Sequence, residues 1–235
     1  MNKATVEEIR ERFDHDVERF SNLDTGQVST VDATLSLELI TEAAKRINPK
    51  AVHLLDIGCG AGNYTLKMLS KLPDLNCTLV DLSAPMLERA LERVSGATSG
   101  QVNTIQGDIR EVDLPDNTYD IVLAGAVLHH LRDDNDWERT FARIYQMVAP
   151  GGCFMISDLI AQDTTVVDDY IREQYGDYLE SYGGETYRNK VMDYIAKEDS
   201  PRSLNFQLEL LKKTGFRETE ILHKHLCFAA YGGIK

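Results

Sequence analysis

The chain has 235 residues and a formal net charge of −13, from 25 Lys and Arg against 38 Asp and Glu. Hydrophobic residues make up 43% of it and charged residues 27%, a balance that excludes disordered, collagen-like and disulfide-scaffold chains. The negative charge argues against a nucleic-acid surface of the chain's own, because phosphate binding depends on clustered Lys and Arg. We see no signal peptide, and no apolar stretch approaches the roughly 18 residues that cross a bilayer.

The four cysteines lie far apart, at positions 59, 77, 153 and 227. They form no C-x-x-C pair and no spacing typical of zinc ligands. Reduced thiols are the ordinary state of cysteines in the cytosol, so the pattern favours a cytoplasmic location. With no apolar span, we expect no membrane partner.

The N-terminal part of the chain predicts two helices. In residues 5–20 apolar side chains recur at three- and four-residue steps, as on an amphipathic helix, and Thr5 with Glu8 forms a capping-box pattern. A second helix is predicted at about residues 32–47. It ends at Asn48-Pro49, because proline disfavours the helical conformation in the residue before it.

Strand and helix patterns alternate from residue 51 to residue 158. Strands are predicted at residues 51–57, 75–80, 102–106, 120–124 and 153–157, and helices at residues 63–72, 85–94 and 136–148. This alternation is typical of a parallel sheet with helices on both faces.

The C-terminal part has a different pattern. A helix is predicted at residues 204–214, with Gly215 as its C-cap. Strands at residues 216–222 and 225–231, joined by the two-residue turn His223-Lys224, predict an antiparallel hairpin. Residues 159–203 are helix-like and far exceed the dozen or so residues that a crossover requires, so they predict a lid.

A glycine-rich loop, D-I-G-C-G-A-G at residues 56–62, directly follows the first buried strand. Gly58, Gly60 and Gly62 allow a tight turn and let a ligand touch the main chain. A dinucleotide fingerprint requires a small third residue at position 63, but this position is Asn63. A Walker loop requires a following G-K-[ST], and none follows here. The alternative to a ligand loop is a plain strand-to-helix turn.

Three acidic residues follow three successive strands. Asp56 at the loop entrance suits a ligand with an amine and a sulfonium cation better than it suits a pyrophosphate. Asp81 can accept both hydroxyls of a ribose, and Asp108 can accept from an adenine amino group. Their alternatives are a helix N-cap for Asp81 and a turn aspartate for Asp108. Together they line one crevice at the carboxyl edge of the sheet, where open α/β sheets bind ligands.

These motifs, with L-V-D-L-S-A-P-M, G-D-I and Y-D-I-V-L-A-G-A-V-L-H-H-L, resemble the class I S-adenosylmethionine-dependent methyltransferase family from about residue 51 to residue 158. The final helix and hairpin extend the resemblance to the C-terminus. It implies a Rossmann-like, mostly parallel seven-stranded sheet with helices on both faces, an antiparallel last strand and a helical lid insertion. It also implies that S-adenosyl-L-methionine is the cofactor and S-adenosyl-L-homocysteine the product.

The resemblance assigns cofactor contacts to residues of this chain. It implies that the methionine portion is held by Asp56, Gly58, Cys59, Gly60 and Gly62, the ribose by Asp81, the adenine by Leu82, Met86, Asp108 and Ile109, and that Ala124 and Val127 lie beneath the sulfonium.

The ends of the chain carry a narrower resemblance. F-D-H-D-V-E-R-F and the tail E-D-S-P-R-S-L, G-F and H-L-C-F-A-A-Y resemble the carboxy-S-adenosylmethionine synthase branch and relatives labelled tRNA uridine-5-oxyacetate methyltransferases. In that branch a lid arginine contacts a cofactor carboxylate, and Arg188 is the nearest counterpart here. A guanidinium can meet a carboxylate with two parallel hydrogen bonds. The alternative is that Arg188 is a solvated lid residue that offsets the charge of Glu185 or Asp193.

Some candidates concern the acceptor rather than the cofactor. His129, where the fourth strand ends, is either a general base near the methyl group or part of a structural loop. Tyr175, Tyr178 and Tyr182 share one helix face and form either a packed aromatic stripe or a substrate pocket. Gly183-Gly184 between the two helical pieces of the lid is a candidate hinge.

A metal site is not expected. His223 and His225 are two residues apart, but the sequence offers no third ligand near them. Methyl transfer from a sulfonium needs approach geometry and charge complementarity rather than a metal or a nucleophile triad.

We therefore predict one methyltransferase domain over residues 1–235, with N-terminal helices at 1–48, the cofactor-binding core at 49–158, the lid at 159–203 and the C-terminal helix and hairpin at 204–235. The expected acceptor is a small molecule under the lid, and no nucleic acid is expected without a partner subunit. A homodimer is left open. The alternatives are a tRNA-modification enzyme, as a tRNA methyltransferase or a carboxy-S-adenosylmethionine-forming enzyme, an NAD-dependent dehydrogenase, and a non-catalytic cofactor-binding subunit.

Overall fold

Seven strands form one mixed sheet in the computed structural model, which describes residues 3–22 and 27–235. The strands are β1 His53–Ile57, β2 Asn76–Asp81, β3 Val102–Gln106, β4 Tyr119–Gly125, β5 Val148–Leu159, β6 Glu218–His225 and β7 Phe228–Ile234. Their order is β3-β2-β1-β4-β5-β7-β6. The first five pair in parallel, and β7 runs antiparallel to both β5 and β6. The predicted sheet is confirmed.

Helices cover both faces of this sheet. The described helices are α1 Val6–Asp14, α2 Val17–Ser21, α3 Ala33–Ile47, α4 Asn63–Leu69, α5 Ala84–Ser95, α6 Asp134–Met147, α7 Thr165–Glu198 and α8 Leu204–Thr214. Side chains alternate across each strand, so Leu55 and Ile57 of β1 pack with α6 and α8 while Leu54 packs with α3, α4 and α5. In the described part of the chain no helix is long and apolar enough to span a bilayer.

The single N-terminal helix predicted at residues 5–20 is wrong, because the structure divides it into α1 and α2. The capping box of Thr5 and Glu8 is present at its start. At the break the His15 ring nitrogen Nδ1 lies 2.7 Å from the Glu11 carbonyl oxygen. In a continuous helix this oxygen would instead accept a hydrogen bond from the backbone N–H of His15.

The lid segment is one long helix, α7, interrupted at Gly184. That residue has φ 76° and ψ 177°, a conformation that glycine adopts without steric cost. The break therefore lies at the predicted glycine pair. Tyr175 and Leu179 of α7 pack against Leu159 and Phe228 at the end of the sheet.

The C-terminal hairpin turns three residues later than the sequence predicts. Its turn is at Leu226 and Cys227 rather than at His223-Lys224, and Leu226 has φ 51°. The strand continues through Gly232, which the sequence pattern leaves outside it. An added Cβ there would lie 2.5 Å from the Phe154 carbonyl oxygen, so glycine permits close contact between β5 and β7.

Two helix-ending glycines allow a matched stability test. Gly215 ends α8 with φ 119°, and an added Cβ would lie 2.7 Å from Tyr145. We expect Gly215→Ala to lower the free energy of unfolding by about 1–3 kcal/mol, measured by urea denaturation. Gly96 ends α5 with φ −80°, and an added Cβ would come no nearer than 3.8 Å to the atoms around it, so Gly96→Ala should be neutral or stabilising by up to about 1 kcal/mol. Equal losses in both variants would contradict this account.

Candidate functional site

The carboxyl ends of β1, β2 and β4 open into a cavity of about 270 Å³. Its lining includes the loops after these strands, helices α1 and α2, and the C-terminal half of α7. Phe13 and Phe20 line the cavity from the N-terminal helices, and Tyr194 and Ile195 line it from α7. This is the sheet edge at which open α/β proteins bind ligands.

From Gly58 on, every second residue of the glycine loop is a glycine with a left-handed backbone conformation. Gly58, Gly60 and Gly62 have φ of 62°, 50° and 83°. An added Cβ on Gly58 would lie 2.5 Å from Val127, whereas no described atom lies within 4 Å of one on Gly60. Since Gly60 lines the cavity, its bare backbone faces open space. Gly62 instead packs closely against Val94 of α5, so its role is helix packing.

Asp81 ends β2 and joins this loop to the next strand. Its Oδ2 accepts the Gly60 N–H at 2.8 Å, and its Oδ1 accepts the Ser83 N–H at 2.9 Å. Burial raises the pKa of the Asp81 carboxyl. The helix-cap alternative is wrong, because Ser83 caps α5 by accepting from Met86. Each Asp81 oxygen keeps a further acceptor site at the cavity.

Asp108 is paired in a way that the sequence analysis missed. Arg110 donates to both of its oxygens, at 2.9 Å and 2.5 Å, and also pairs with Asp136 at 2.8 Å. Burial works against ionisation, but the Arg110 hydrogen bonds outweigh it and hold the pKa of Asp108 below its usual range. Asp108 is therefore an ionised carboxylate with fewer acceptor sites than expected.

Asp56 does not line the cavity, contrary to the expected contact with the methionine portion. Its side chain is 1% exposed and accepts from the hydroxyl of Thr65 at 2.6 Å and its N–H at 3.2 Å. Burial raises the pKa of Asp56 to about 7. The residue fixes α4 against β1 from behind the loop.

Most of the other residues assigned to the cofactor do lie on the cavity. These are Cys59, Leu82, Met86, Ile109 and Val127. Ala124 differs, because it is fully buried within β4 and the cavity lining begins one residue later, at Gly125 and Ala126.

His129 lies between two carboxylates. Its Nδ1 is 2.5 Å from Asp158 Oδ1, and its Nε2 is 3.8 Å from Asp199 Oδ1. Burial favours the neutral ring, but the negative charges of Asp158 and Asp199 outweigh it and raise the pKa of His129 to about 9. This charge environment favours the protonated ring at neutral pH, which argues against a general-base role for His129.

His130 has the opposite character. Its Nδ1 lies 3.2 Å from Asp199 Oδ1, but burial and the neighbouring charge of His129 lower the pKa of His130. The adjacent histidines thus form one charged and one neutral ring at the cavity.

The lid tyrosines mostly anchor the segment before α3. Tyr175 lines the cavity and donates its hydroxyl to the Ser29 carbonyl at 2.7 Å, and Tyr178 donates to Val28 at 2.9 Å. Tyr182 is 56% exposed. Neither Tyr178 nor Tyr182 is part of the described cavity lining, and the rings of Tyr175 and Tyr178 stack on each other. The packing interpretation fits these contacts better than a substrate pocket does.

Arg188 lies away from the cavity, and the structure does not bring it to a cofactor substituent. Its guanidinium pairs with Glu180 and Glu185 of its own helix. A different arginine reaches the site: Arg12 pairs with Glu198 through Nη2 at 2.6 Å and lies 4.2 Å above the Phe13 ring. The sequence analysis gave no signal for this pair, which joins α1 to the end of α7.

Comparisons with known proteins agree with this geometry. A family described as a methyltransferase domain matches residues 54–152. A carboxy-S-adenosyl-L-methionine synthase from Shewanella sp. (strain W3-18-1) is 26% identical over 206 residues, 86% of this chain and 84% of that protein. A malonyl-[acyl-carrier protein] O-methyltransferase from Priestia megaterium is 29% identical over 127 residues, 54% and 44% of the two chains.

A solved structure extends the likeness to the fold. Haemonchus contortus phosphoethanolamine N-methyltransferase 2, in complex with S-adenosyl-L-methionine, aligns with a TM-score of 0.59 at 25% identity, over 89% of this chain and 45% of that one. The methyltransferase-domain match and these relatives support the class I S-adenosylmethionine-dependent methyltransferase family for this chain. The enzyme class and the S-adenosyl-L-methionine cofactor predicted from the sequence are thereby confirmed.

The charge of His129 in this methyltransferase can be measured directly. Nitrogen NMR of labelled histidine should find His129 doubly protonated at neutral pH, because its pKa of about 9 lies above the usual 6.5. The Asp158→Asn variant removes the nearer carboxylate and should bring the pKa down. A neutral His129 ring in the unsubstituted enzyme would contradict the arrangement.

The same pairing predicts how stability depends on pH. A folded-state pKa that is raised stabilises the fold fully below the usual value of 6.5, and the contribution disappears as the pH rises through about 9. The free energy of unfolding should fall over this interval, and it should fall less in Asp158→Asn.

Proposed function

We propose that this methyltransferase transfers a methyl group from S-adenosyl-L-methionine to a small-molecule acceptor held in the cavity under the C-terminal half of α7. The observation that carries the proposal is that one cavity joins the glycine loop to the histidine pair. Helices α1, α2 and α7 restrict access to it. The related proteins named above act on malonyl-[acyl-carrier protein] and phosphoethanolamine, by their names, and the net charge of −13 disfavours unaided binding of nucleic acid.

We assign the cofactor to the strand-end side of the cavity. The uncovered backbone at Gly60 suits a ligand in direct contact with the main chain, and the remaining acceptor sites of Asp81 suit two ribose hydroxyls. Leu82 and Met86 offer apolar contacts for the adenine. When bound, the sulfonium supplies the electrophilic methyl group.

We assign the acceptor to the histidine side. Positioning is the main requirement of an in-line displacement, so the enclosing helices and the charged His129 orient the acceptor while excluding water. His130 is the neutral ring, so it rather than His129 suits the removal of an acceptor proton. Four buried, free cysteines support a reducing and therefore cytoplasmic location.

Cofactor binding tests the proposal through Asp81. We expect Asp81→Ala to weaken S-adenosyl-L-homocysteine binding by about 1.5–3 kcal/mol in calorimetry, because two hydroxyl hydrogen bonds to a carboxylate are lost. Asp74→Ala is the matched control: it removes an exposed carboxylate that accepts from Ser99 outside the cavity, and it should leave affinity unchanged.

Thermal denaturation establishes that both variants are folded before affinities are compared. Equal affinity in Asp81→Ala and the unsubstituted enzyme would contradict the assignment of the ribose to Asp81. Binding of NAD without binding of S-adenosyl-L-homocysteine would contradict the cofactor assignment itself.

A second candidate is an enzyme that forms or uses a carboxylated S-adenosylmethionine. Its support is the synthase likeness, which covers 86% of this chain and 84% of the relative. Arg188 does not support it, since its guanidinium is paired with Glu180 and Glu185. The arginines on the described cavity lining are Arg12, Arg19, Arg110 and Arg132. Arg12 is itself paired with Glu198, and Arg110 with Asp108 and Asp136.

Mass spectrometry of the ligand that co-purifies with the enzyme separates the two candidates. Under the primary proposal we expect S-adenosyl-L-methionine or S-adenosyl-L-homocysteine. A carboxylated cofactor, which differs from both in mass, would favour the second candidate and would contradict simple methyl transfer as the activity.

A further inference from the structure

Two histidines and an aspartate meet outside the cavity, at the opposite edge of the sheet from β3. His223 Nε2 lies 2.9 Å and His225 Nδ1 2.7 Å from the same atom, Oδ2 of Asp32. None of the three residues lines the described cavity. The sequence supplied the histidine pair but not its third member, because Asp32 is almost two hundred residues away along the chain.

The backbone brings these side chains together for identifiable reasons. His223 and His225 lie on β6, the edge strand of the sheet, and a two-residue step places them on the same side of it. Asp32 precedes α3 with φ 54°, a conformation that aspartate adopts more readily than most residues. In this described region its carboxylate caps no N–H of α3 and is directed to the two rings instead.

The donor atoms form a set that transition metals bind. One ligand atom from each residue lies within 4.8 Å of the other two. Two imidazole nitrogens and one carboxylate oxygen suit Zn²⁺ and its neighbours in the first transition series. A tetrahedral ion with bonds of about 2.0–2.1 Å separates its ligand atoms by about 3.3 Å, so the trio needs to open by a few tenths of an ångström.

The surroundings allow that adjustment. The side chains of Asp32, His223 and His225 are 36%, 22% and 53% exposed, so they can shift and water can complete the coordination. A second trio, His129, His130 and Asp199, has similar spacing. It is the weaker candidate, because the raised pKa of His129 and the close contact of its Nδ1 with Asp158 make this ring less available to a metal ion.

We propose that Asp32, His223 and His225 bind a divalent transition-metal ion, with Zn²⁺ as the reference ion, and that the ion fastens the start of α3 to the edge strand β6. Each ring nitrogen that faces Asp32 would bind the ion through its lone pair, with the ring proton on the other nitrogen.

The site has a structural consequence for the cavity. Ser29 and Thr30, just before Asp32, line the cavity, and Tyr175 and Tyr178 of α7 donate to the carbonyls of Ser29 and Val28. A bound ion would therefore immobilise a segment that connects the edge strand, the cavity wall and the lid. The inference does not depend on which acceptor the enzyme uses.

Cobalt titration of the chelator-treated enzyme tests the site. Co²⁺ should give the visible absorption of a low-symmetry nitrogen and oxygen site, and Zn²⁺ should abolish it. His223→Ala, His225→Ala and Asp32→Ala should each weaken Co²⁺ binding by at least about tenfold. His15→Ala removes an exposed histidine elsewhere, and His130→Ala removes a ligand of the second trio; both should retain binding.

Hydrogen exchange gives a readout that does not depend on activity. Zn²⁺ should slow amide exchange in residues 27–32 of the unsubstituted enzyme and of His15→Ala, but not of His225→Ala. Unchanged affinity in Asp32→Ala would mean that the histidine pair binds metal as an ordinary surface chelate, which overturns the three-ligand site. Loss of binding in His130→Ala alone, or no binding by the unsubstituted enzyme, would overturn it as well.

Discussion

The hydrogen bond from the Gly60 N–H to the Asp81 carboxylate is the contact on which the geometry of the site depends. It is possible because β1 and β2 are adjacent parallel strands, so their carboxyl ends meet at one edge. A second contact, from the Cys59 N–H to the Val80 carbonyl at 3.0 Å, supports it. Together they hold the glycine loop open, with its backbone and one carboxylate facing the same cavity.

The sequence predicted what depends on local pattern and on parallel-strand topology. The alternation of strands and helices, the break at Gly184, the C-cap at Gly215 and the position of Asp81 at the sheet edge all follow from periodicity or glycine chemistry. Two wrong predictions also have local causes. The N-terminal helix breaks where the His15 ring contacts a backbone carbonyl oxygen, and Gly232 belongs to a strand because β5 and β7 pack closely there.

The sequence could not predict contacts between distant residues. From the sequence alone, His129 is a candidate general base. The structure adds two negative charges beside it, from Asp158 at the end of β5 and Asp199 just after α7. The Arg12–Glu198 pair on the cavity lining joins residues that are 186 positions apart along the chain. Such contacts influence which rings are charged and which arginines lie on the cavity, so they bear on the side proposed for the acceptor more than on the side proposed for the cofactor.

A crystal structure of the enzyme with S-adenosyl-L-homocysteine tests the central claim most directly. The account predicts both ribose hydroxyls within hydrogen-bonding distance of the Asp81 carboxylate, with the ligand in contact with the backbone at Gly60 and its sulfur towards the histidine pair. A ligand bound elsewhere, or bound in the cavity with Asp81 still facing no hydroxyl, would contradict it.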